Sequence, residues 1–402
     1  MGVAISFRTS HSLDKRRFNL MRMLVLGAGL QGSACAYDLL QNDEVTEVRL
    51  ADLYTAHLPE FLAPYSGKRL IPTPLDVRDH DAISALMRES DAVMSAIPYY
   101  FNLDLAKLAV AASVHFSDLG GNTEIVFAQK ELNGEALMKG ISVIPDCGLA
   151  PGMVNILAEY GIRQLDTVDE VKIFVGGLPQ HPEPPLNYQI VYSLEGVLDY
   201  YTTLSWIIRD GVRTQVKALS EREAVHFDKP LGELEAFHTA GGLSTMASRY
   251  EGRVASMEYK TLRYPGHAVI MEAIRDLGLL DQEPIEVKGG RVAPRDVAIA
   301  TMGPHLTRPG AHDLVALRVT VRGSSAGKPK QLGWELVDFF DEKHGISAMM
   351  RSTGYSLSIT GQMQARGEIP INGVHTPDEC VPAAKYIAEL GKRGVKIREI
   401  MS

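Results

Sequence analysis

Cysteine is scarce in this chain, with three residues, Cys35, Cys147 and Cys380, among 402. They are widely separated and show no C-x-x-C spacing, which argues against a disulfide framework or a cysteine-based zinc site. Histidines and acidic residues also lack H-E-x-x-H or another metal-ligand spacing, so the sequence predicts no metal ion. The pattern is typical of a protein from a reducing compartment.

Long apolar runs and an excess of positive charge are missing as well. No stretch approaches the roughly 18 to 20 apolar residues needed to cross a bilayer. The 41 basic residues are outnumbered by 49 acidic ones, and the net charge of -8 opposes binding to nucleic acid or to an anionic membrane. We therefore expect a cytoplasmic protein with neither kind of partner. Its length favours two domains.

Residues 1–22 differ from the rest of the chain in their charge. They contain five basic residues and a single acid, and they lack the apolar segment of a secretory signal. Met21 and Met23 stand directly before the first predicted strand. We interpret residues 1–22 as a disordered leader.

The most informative segment that is present reads M-L-V-L-G-A-G-L-Q-G, where an apolar strand runs into G-x-G-x-x-G. In this motif Gly27 permits a tight turn, Gly29 lets the backbone approach a pyrophosphate, and Gly32 allows close packing of the following helix. Unpaired N–H groups at the start of that helix bind phosphate. The motif's cofactor contacts are assigned to Gly27, Gly29, Leu30, Gln31 and Gly32.

A second apolar strand ends in Asp52, about 20 residues beyond the glycines, where the dinucleotide-binding fingerprint places an acid on the ribose. Its negative charge would repel a 2′-phosphate, so the sequence predicts NAD rather than NADP as cofactor. Ligands lie outside the carboxyl ends of parallel strands, so residues after the third predicted strand and at the end of the fourth are assigned to the cofactor as well. They are Asp76, Val77, Ser95, Ala96 and Ile97.

Short apolar strands alternate with helical segments from Met23 to Cys147, which predicts an α/β fold with a Rossmann-type doubly wound parallel sheet. The six predicted strands are Met23–Leu26, Val48–Ala51, Arg69–Pro72, Ala92–Ile97, Val114–Ser117 and Ile141–Ile144. Helical spacing predicts helices over Asp79–Glu89, Leu103–Ala112, Ala348–Gln364 and Cys380–Leu390.

The pattern changes after Pro151, and a proline-rich loop over Gly176–Pro185 marks a second domain. Alternating polarity predicts strands at Val171–Val175, Ala316–Val321 and Leu332–Phe340, whereas helical spacing predicts helices at Ser193–Asp210 and Ala268–Asp276. Together these elements predict an α+β domain with an antiparallel sheet.

Polar residues cluster where predicted strands four to six end, next to the expected position of the nicotinamide. These ends supply Tyr99, Asp118, Asp146 and Cys147. Asp118 is a candidate general base, or alternatively an acid that caps a helix or holds the turn before two glycines. Cys147 has no located histidine partner, and we interpret it as a packing residue rather than a nucleophile.

Two segments of the second domain also carry candidate chemistry. E-A-F-H-T-A-G-G places His238 and Thr239 before two glycines that allow close approach of a ligand. His238 is a second candidate acid-base group, with a buried imidazole that donates to a backbone carbonyl as the alternative. In Y-K-T-L-R-Y-P-G-H, Arg263 is suited to pair with a substrate carboxylate.

Together these segments resemble the saccharopine dehydrogenase superfamily, and in particular its NAD-dependent L-lysine 6-dehydrogenases. The matching stretches include E-A-F-H-T-A-G-G, Y-S-L-E-G-V-L-D-Y-Y and P-D-C-G-L-A-P-G-M-V-N-I-L, of which E-A-F-H-T and Y-S-L-E-G are the more restrictive. The resemblance covers nearly everything after Met23. It implies a discontinuous NAD-binding domain, residues 23–147 plus 346–402, and a substrate-binding and oligomerisation domain, residues 148–345. It also implies a homodimer or a higher homo-oligomer.

The activity that this resemblance implies is oxidation of the terminal amine carbon of L-lysine to 2-aminoadipate 6-semialdehyde, with release of ammonia and NADH. A base, Asp118 or His238, must then take a proton from the amine, because the ammonium has a reference pKa near 10.4. Arg263 would hold the carboxylate of the substrate. Tyr99, Tyr188 and Thr239 are the other candidate substrate-binding residues.

One departure bears on the substrate. Saccharopine-forming relatives carry an acid in G-L-D-P-G, where this chain has Ala150 in G-L-A-P-G. This departure disfavours a saccharopine substrate. Two alternatives stay open: reductive formation of saccharopine or carboxynorspermidine, and a non-catalytic NAD-binding regulator.

Overall fold

The computed structural model describes residues 20–400. Most of the predicted leader, residues 1–19, therefore lies outside the described residues. Met21 and Arg22 belong to the first strand, so the leader boundary predicted at residue 22 is two residues too late. Met21 is buried, and the backbone N–H of Arg22 donates to the Asp91 carboxylate at 2.7 Å.

The first half of the chain forms a parallel sheet flanked by helices. Its strands are β1 Met21–Leu26, β2 Val45–Asp52, β3 Leu70–Pro74, β4 Ala92–Ser95, β5 His115–Asp118 and β6 Ser142–Ile144. Its helices are α1 Leu30–Leu40, α2 His80–Arg88, α3 Asn102–Ala112, α4 Thr123–Lys130 and α5 Asn133–Lys139, with 3₁₀ turns at Glu60–Tyr65 and Tyr99–Phe101. The strand order β6-β5-β4-β1-β2-β3, with every pair parallel, confirms the predicted doubly wound sheet.

The second region forms a larger sheet with helices packed on it. Its helices are α6 Met153–Ile162, α7 Leu194–Thr202, α8 Met246–Tyr250, α9 His267–Asp276 and α10 Pro294–Leu306. Its strands are β7 Thr167–Pro179, β8 Ser205–Arg209, β9 Val212–Val216, β10 Glu223–Phe227, β11 Gly232–His238, β12 Ser256–Arg263, β13 Ile285–Val287, β14 Gly290–Val292, β15 Asp313–Ser325 and β16 Lys328–Phe339.

This second sheet is mixed rather than purely antiparallel. Its order is β10-β11-β12-β7-β15-β16, with β8 beside β12 and β9 beside β8, and the pair β12–β7 is parallel. The parallel pair arises because the chain leaves β7 through a long segment that contains α7 and returns to the adjacent position in β12. The prediction of an antiparallel sheet is therefore wrong for this one pair.

Two predicted boundaries in the second region are also wrong. The helix predicted over Ser193–Asp210 ends at Thr202, and β8 and β9 follow as a hairpin. The turn of that hairpin is Asp210-Gly211, with φ values of 50° and 78°, an Asp-Gly signal for a tight hairpin. The proline-rich loop begins after Pro179, because Gly176–Pro179 still pair with β15.

The last part of the chain returns to both sheets. It contains α11 Ala348–Ala365, β17 Gly373–Val374, α12 Pro377–Cys380, α13 Ala383–Lys392 and β18 Arg398–Glu399. The helix predicted at Ala348–Gln364 is confirmed, whereas the one predicted from Cys380 begins at Ala383 because Pro382 interrupts it.

The return of α11 places it against α1. A Cβ atom added at Gly354 would lie 2.7 Å from Cβ of Ala34, so only glycine permits this close approach. β17 adds a seventh strand beside β6, and β18 pairs with β16 in the second sheet. The predicted domain boundary at 346 therefore stays a prediction, since residues 398–399 join the second sheet.

A hydrophobic cluster runs through both sheets and includes residues of β1, α1, α6 and α11. Among residues 20–400, no helix is both long enough and apolar enough to span a membrane. The shared core fixes the carboxyl ends of the parallel strands against the second sheet, where the candidate site lies.

Candidate functional site

The glycine motif forms a loop that fits a dinucleotide pyrophosphate. Gly27 has φ of 99°, and a Cβ atom at Gly32 would lie 1.8 Å from the carbonyl oxygen of Gly27. At Gly29, by contrast, a Cβ atom would meet nothing within 4 Å, so open space lies at the start of α1. No side chain caps α1, which leaves its first N–H groups available to an anion.

Asp52 ends β2 and contacts the glycine loop directly. Its two carboxylate oxygens accept hydrogen bonds from the N–H groups of Ala28, at 2.7 Å, and Tyr54, at 3.0 Å. A carboxylate has about four lone-pair sites, so these bonds leave acceptor capacity for ribose hydroxyls. Gln31 lies in the first turn of α1, and neither polar atom of its buried side-chain amide has a partner among the described residues.

The other residues assigned to the cofactor lie at the same edge of the sheet. Ala96 and Ile97 pack against Gly27, whereas the Ser95 hydroxyl is buried and donates to the Asn102 side chain at 2.8 Å. Direct hydrogen bonds from Arg78 lower the pKa of the Asp76 carboxyl to about 2. The remaining assigned residues, Leu30 and Val77, lie at the start of α1 and after β3.

Asp118 ends β5 with both of its carboxylate oxygens occupied. The backbone N–H of Gly120 donates to one at 2.7 Å, and Gln129 Nε2 donates to the other at 2.8 Å. The side chain is fully buried, and desolvation raises its pKa to about 6 against the effect of these donors. The arrangement matches the alternative reading of Asp118 as the residue that holds the turn.

Asp146 follows β6 and is less completely satisfied. The Ser244 hydroxyl donates to Oδ2, whereas Oδ1 has no hydrogen-bond partner within residues 20–400. Burial raises the pKa of Asp146 to about 7, with the nearby Asp118 carboxyl adding to the effect. Sequence reasoning noted Asp146 but did not assign it. The available signal was an acid after Pro145 at the end of a parallel strand.

Cys147 is buried beside Asp146 and behaves as a packing residue. Its thiol donates to the carbonyl of Ile144 at 3.1 Å. Burial raises the pKa of the Cys147 thiol well above its usual range, which opposes formation of a thiolate.

Tyrosines from both halves of the chain meet at the Gly120-Gly121 turn. A Cβ atom at Gly121 would lie 3.6 Å from both Tyr99 Cδ1 and the Tyr200 hydroxyl oxygen, and one at Gly241 would lie 3.3 Å from Tyr200. The predicted site residue Tyr99 is therefore next to a residue that sequence reasoning missed, Tyr200 on α7. Glycines at both positions let the backbone approach these rings closely.

Arg263 is buried at the end of β12, and no acidic side chain among residues 20–400 pairs with it. Its guanidinium carbon lies 4.8 Å from the centre of the Tyr188 ring, and Nε has no hydrogen-bond partner in the part of the chain that the structure describes. Glu235, directly opposite on β11, is engaged elsewhere, because it accepts the N–H groups of Gly266 and Ala268 at the start of α9.

A chain of hydrogen bonds fixes the surroundings of Arg263. His267 Nδ1 lies 3.1 Å from the carbonyl of Leu186 and must donate to it, so neutral Nε2 accepts from the Tyr201 hydroxyl at 3.0 Å. Burial and the charge of Arg263 hold the pKa of His267 down at about 3. The hydroxyl of Tyr188 is also buried, and it lacks a partner among the described residues.

His238 lies on the opposite face of the sheet from Arg263. It pairs across the ladder with Lys260, whereas Phe237 pairs with Thr261 and Glu235 with Arg263. Side chains alternate between faces along a strand, so His238 does not converge with Arg263 or with Thr239, whose hydroxyl is bonded to Thr261 at 2.7 Å. His238 Nδ1 donates to the carbonyl of Tyr259 at 3.2 Å, as in the alternative interpretation. Its catalytic role stays a prediction.

The other nitrogen of His238 faces two carboxylates. Nε2 lies 3.3 Å from Glu221 and 3.8 Å from Glu258, and these three side chains together could hold a metal ion. Three cations already balance the acids here: Arg209 pairs with Glu221, and Lys172 and Lys260 pair with Glu223 and Glu258. The geometry is that of a charge-balanced network.

Comparison with known proteins identifies both halves of the chain. Residues 23–144 match the saccharopine dehydrogenase NADP binding domain, and residues 148–395 match the saccharopine dehydrogenase C-terminal domain. A nicotinamide-nucleotide-binding domain is thus present. The matched description names NADP, whereas the sequence predicts NAD. Homo-oligomerisation and a cytoplasmic location stay predictions.

Relatives and a solved structure agree with these domains. The chain is 27% identical over 308 residues to saccharopine dehydrogenase [NADP(+), L-glutamate-forming] of Saccharomyces cerevisiae, which covers 73% of this chain and 66% of the relative. It thus spans just under two thirds of that relative. It is 22% identical to carboxynorspermidine synthase of Vibrio cholerae, over 90% of this chain and 93% of the relative.

The fold is shared with apo saccharopine dehydrogenase (L-Glu forming) from Saccharomyces cerevisiae, with a TM-score of 0.77 at 21% identity, over 95% of this chain and 100% of that chain. The C-terminal domain match alone spans more than half of the present sequence. The chain belongs to the saccharopine dehydrogenase family.

Proposed function

We propose that this protein is a nicotinamide-dinucleotide-dependent oxidoreductase that acts on the C–N bond of an amino acid. The observation that carries the proposal is Arg263, a buried guanidinium without an acidic partner in the described residues, on the second sheet. A buried charge is costly unless an opposite charge compensates it, so a substrate carboxylate is the expected partner. The family and its nucleotide-binding domain supply the hydride acceptor.

The terminal amine of L-lysine is the proposed reacting group. A carboxylate at the parallel strand ends accepts a proton from the ammonium, hydride leaves the adjacent carbon for the nicotinamide, and water adds to the resulting imine. The products are the aldehyde, ammonium, the reduced cofactor and one proton. The chain has Ala150 where saccharopine-forming relatives carry an acid, which favours this reaction over one with a saccharopine substrate.

We propose NAD as the cofactor, supported by the Asp52 carboxylate at the end of β2. Its charge would lie beside the ribose, where a 2′-phosphate would be repelled. Fluorescence titration with NADH and NADPH measures the preference. We expect tighter binding of NADH, with the preference reduced in Asp52→Ser. Equal or tighter binding of NADPH by the unchanged protein would contradict NAD specificity.

A steady-state assay tests the reaction. The protein is incubated with L-lysine and either NAD or NADP while the absorbance of the reduced cofactor is followed. Reduction without an added carbonyl compound is the expected result. The similarity to carboxynorspermidine synthase over nearly the full chain makes reductive condensation the second candidate. Consumption of reduced cofactor only when an amine and a carbonyl compound are both present would favour that candidate, and inertness with every amine would overturn both.

A further inference from the structure

Two buried carboxylates lie side by side at the ends of β5 and β6, but their hydrogen bonding differs. Asp118 accepts hydrogen bonds on both oxygens from donors within the nucleotide-binding domain, Gly120 and Gln129. Asp146 is held on one oxygen, by the Ser244 hydroxyl from the second region, and its Oδ1 has no partner within residues 20–400. A buried carboxylate oxygen without a donor is rare and calls for an explanation.

We propose that Asp146, rather than Asp118, is the base that takes the proton from the substrate nitrogen, an inference that rests on the oxidation proposed above. One proton passes from the ammonium to Oδ1 of Asp146, and the nitrogen lone pair that is freed forms the C=N bond as hydride leaves the carbon for the nicotinamide. Asp118 positions the turn beside it. Both of its oxygens accept hydrogen bonds from donors that favour the charged form.

The backbone of Gly120 lies directly against Oδ1 of Asp146. A Cβ atom at Gly120 would lie 1.6 Å from Oδ1, so any other residue at this position would displace the carboxylate. Both partners of the bond between the two regions, Asp146 with φ of 63° and Ser244 with φ of 52°, adopt the left-handed conformation that non-glycine residues rarely occupy. Strain of this kind concentrates at functional sites.

The groups that face Asp146 determine how its charge responds to pH. Asp118 on β5 and Asp378 on α12 are acidic and raise the pKa of Asp146, whereas the Ser244 hydroxyl lowers it. The Gly121 N–H also lowers it, because it lies close to the carboxylate, although its geometry falls short of a hydrogen bond to Oδ1. Asp378 is itself paired with Arg249. The Tyr200 hydroxyl on α7 also faces Asp146, and burial keeps it neutral by raising its pKa. Two of these neighbours, Asp118 and Ser244, can be replaced separately and act on the pKa of Asp146 in opposite directions.

The pH profile of kcat/KM for L-lysine oxidation tests the assignment. The wild-type protein should gain activity through about pH 7 as Asp146 loses its proton. Asp146→Asn should lose that limb and fall by about 100- to 10,000-fold in kcat, while binding NADH normally. Asparagine tolerates the left-handed backbone, so this variant is expected to fold. A limb that persists in Asp146→Asn would overturn the assignment.

Two further variants shift the limb in opposite directions. Ser244→Ala removes a donor to the carboxylate and should move the midpoint to higher pH, whereas Asp118→Asn removes a like charge and should move it to lower pH. A purely structural role of either residue would lower activity without these opposite shifts. Identical midpoints in all three proteins would argue against Asp146 as the titrating base.

Infrared difference spectroscopy of the substrate-free protein separates this inference from the proposed reaction. A carboxyl band with a midpoint near pH 7 should be lost in Asp146→Asn, where the Asp118 band, with a pKa of about 6, remains, and a near-neutral band should persist in Asp118→Asn. A band that keeps its midpoint near pH 7 in Asp146→Asn and disappears in Asp118→Asn overturns the role of Asp146 whatever the reaction. The band could be lost in Asp146→Asn while the wild-type protein is inert toward all amines. This result would support Asp146 as the proton acceptor of the site and would contradict only the proposed reaction.

Discussion

The two faces of β12 differ in whether the buried cation on each face has acidic partners among the described residues. Arg263 lies on one face, against Tyr188 and Tyr201, without an acidic partner in the described part of the chain. Lys260 lies on the other face, where Glu223 accepts from it at 2.5 Å and Glu258 lies 3.7 Å away. The residues alternate along a single strand, so the same backbone supports a complete electrostatic network and an incomplete one.

This difference shows where a ligand is expected. A buried ion contributes to stability only when partners compensate its desolvation, and the Lys260 face has those partners already. On the Arg263 face, the desolvation cost of the buried cation is not compensated by an acidic partner among the described residues. We therefore read the Arg263 face as the ligand-binding face and the Lys260 face as a contribution to the stability of the second sheet.

The largest expected effect is that of Arg263→Met. Loss of a carboxylate partner in a buried site should lower kcat/KM for L-lysine by about 100- to 1000-fold. Since methionine replaces an uncompensated buried charge with an apolar chain, the free energy of unfolding without ligand should not fall. Steady-state kinetics and urea denaturation measure the two quantities. Arg322→Met, at an exposed position on β15, is the matched control. If Arg263→Met were destabilised but kept normal kinetics, Arg263 would stabilise the fold and would not bind the ligand.

Lys260→Met tests the other face with the same kind of substitution. Within residues 20–400 it leaves Lys172 as the lysine that pairs with Glu223 and Glu258, so we expect a loss of about 2 kcal/mol in the free energy of unfolding. We expect kcat/KM to stay close to that of the wild-type protein. Arg263→Met should thus lower kcat/KM and leave the stability intact, whereas Lys260→Met should lower the stability and leave kcat/KM intact. A large kinetic defect in a stable Lys260→Met protein would show that both faces contact the ligand.

The free energy of unfolding should fall at acid pH because of His267, which lies beside Arg263. Its pKa is about 3 in the folded protein because of burial and the charge of Arg263, and about 6.5 when unfolded. Between these values the unfolded state binds a proton that the folded state does not, so stability falls as pH falls, by up to about 1.4 kcal/mol per pH unit. His267→Gln should reduce this slope, and His57→Gln, at an exposed position, should not. Denaturation curves from pH 4 to 7 give the slopes.

The sequence predicts the nucleotide-binding sheet better than the second sheet for a physical reason. A strand that runs into G-x-G-x-x-G, followed by Asp52, is a local pattern, and each element is set by residues near it. The residues of β8 instead fall within the predicted helix Ser193–Asp210, because helical spacing continues up to Asp210, although the Asp210-Gly211 pair is itself a hairpin signal.

For the candidate site too, residues in local segments of the sequence are easier to predict than contacts between distant segments. Local segments of the sequence predict Arg263 and Tyr99 as site residues, whereas the residues that bond to the charged groups are distant in sequence. Ser244 reaches Asp146 across 98 residues, and the face on which His238 lies depends on the register of β11 with β12. A one-residue change in that register would have placed His238 on the face of Arg263.

The smallest expected effect is that of His238→Asn, which addresses the one predicted catalytic residue on the Lys260 face. The substitution removes the bond from Nδ1 to the Tyr259 carbonyl and the contact of Nε2 with Glu221, which should cost about 1 to 2 kcal/mol of stability. Because the side chain lies on the opposite face from Arg263, kcat and KM should change less than about twofold, well below the effect expected for a general base. If turnover instead fell 100-fold with the pH limb lost, His238 would be the base, and the division of β12 into a ligand-binding face and a structural face would be wrong.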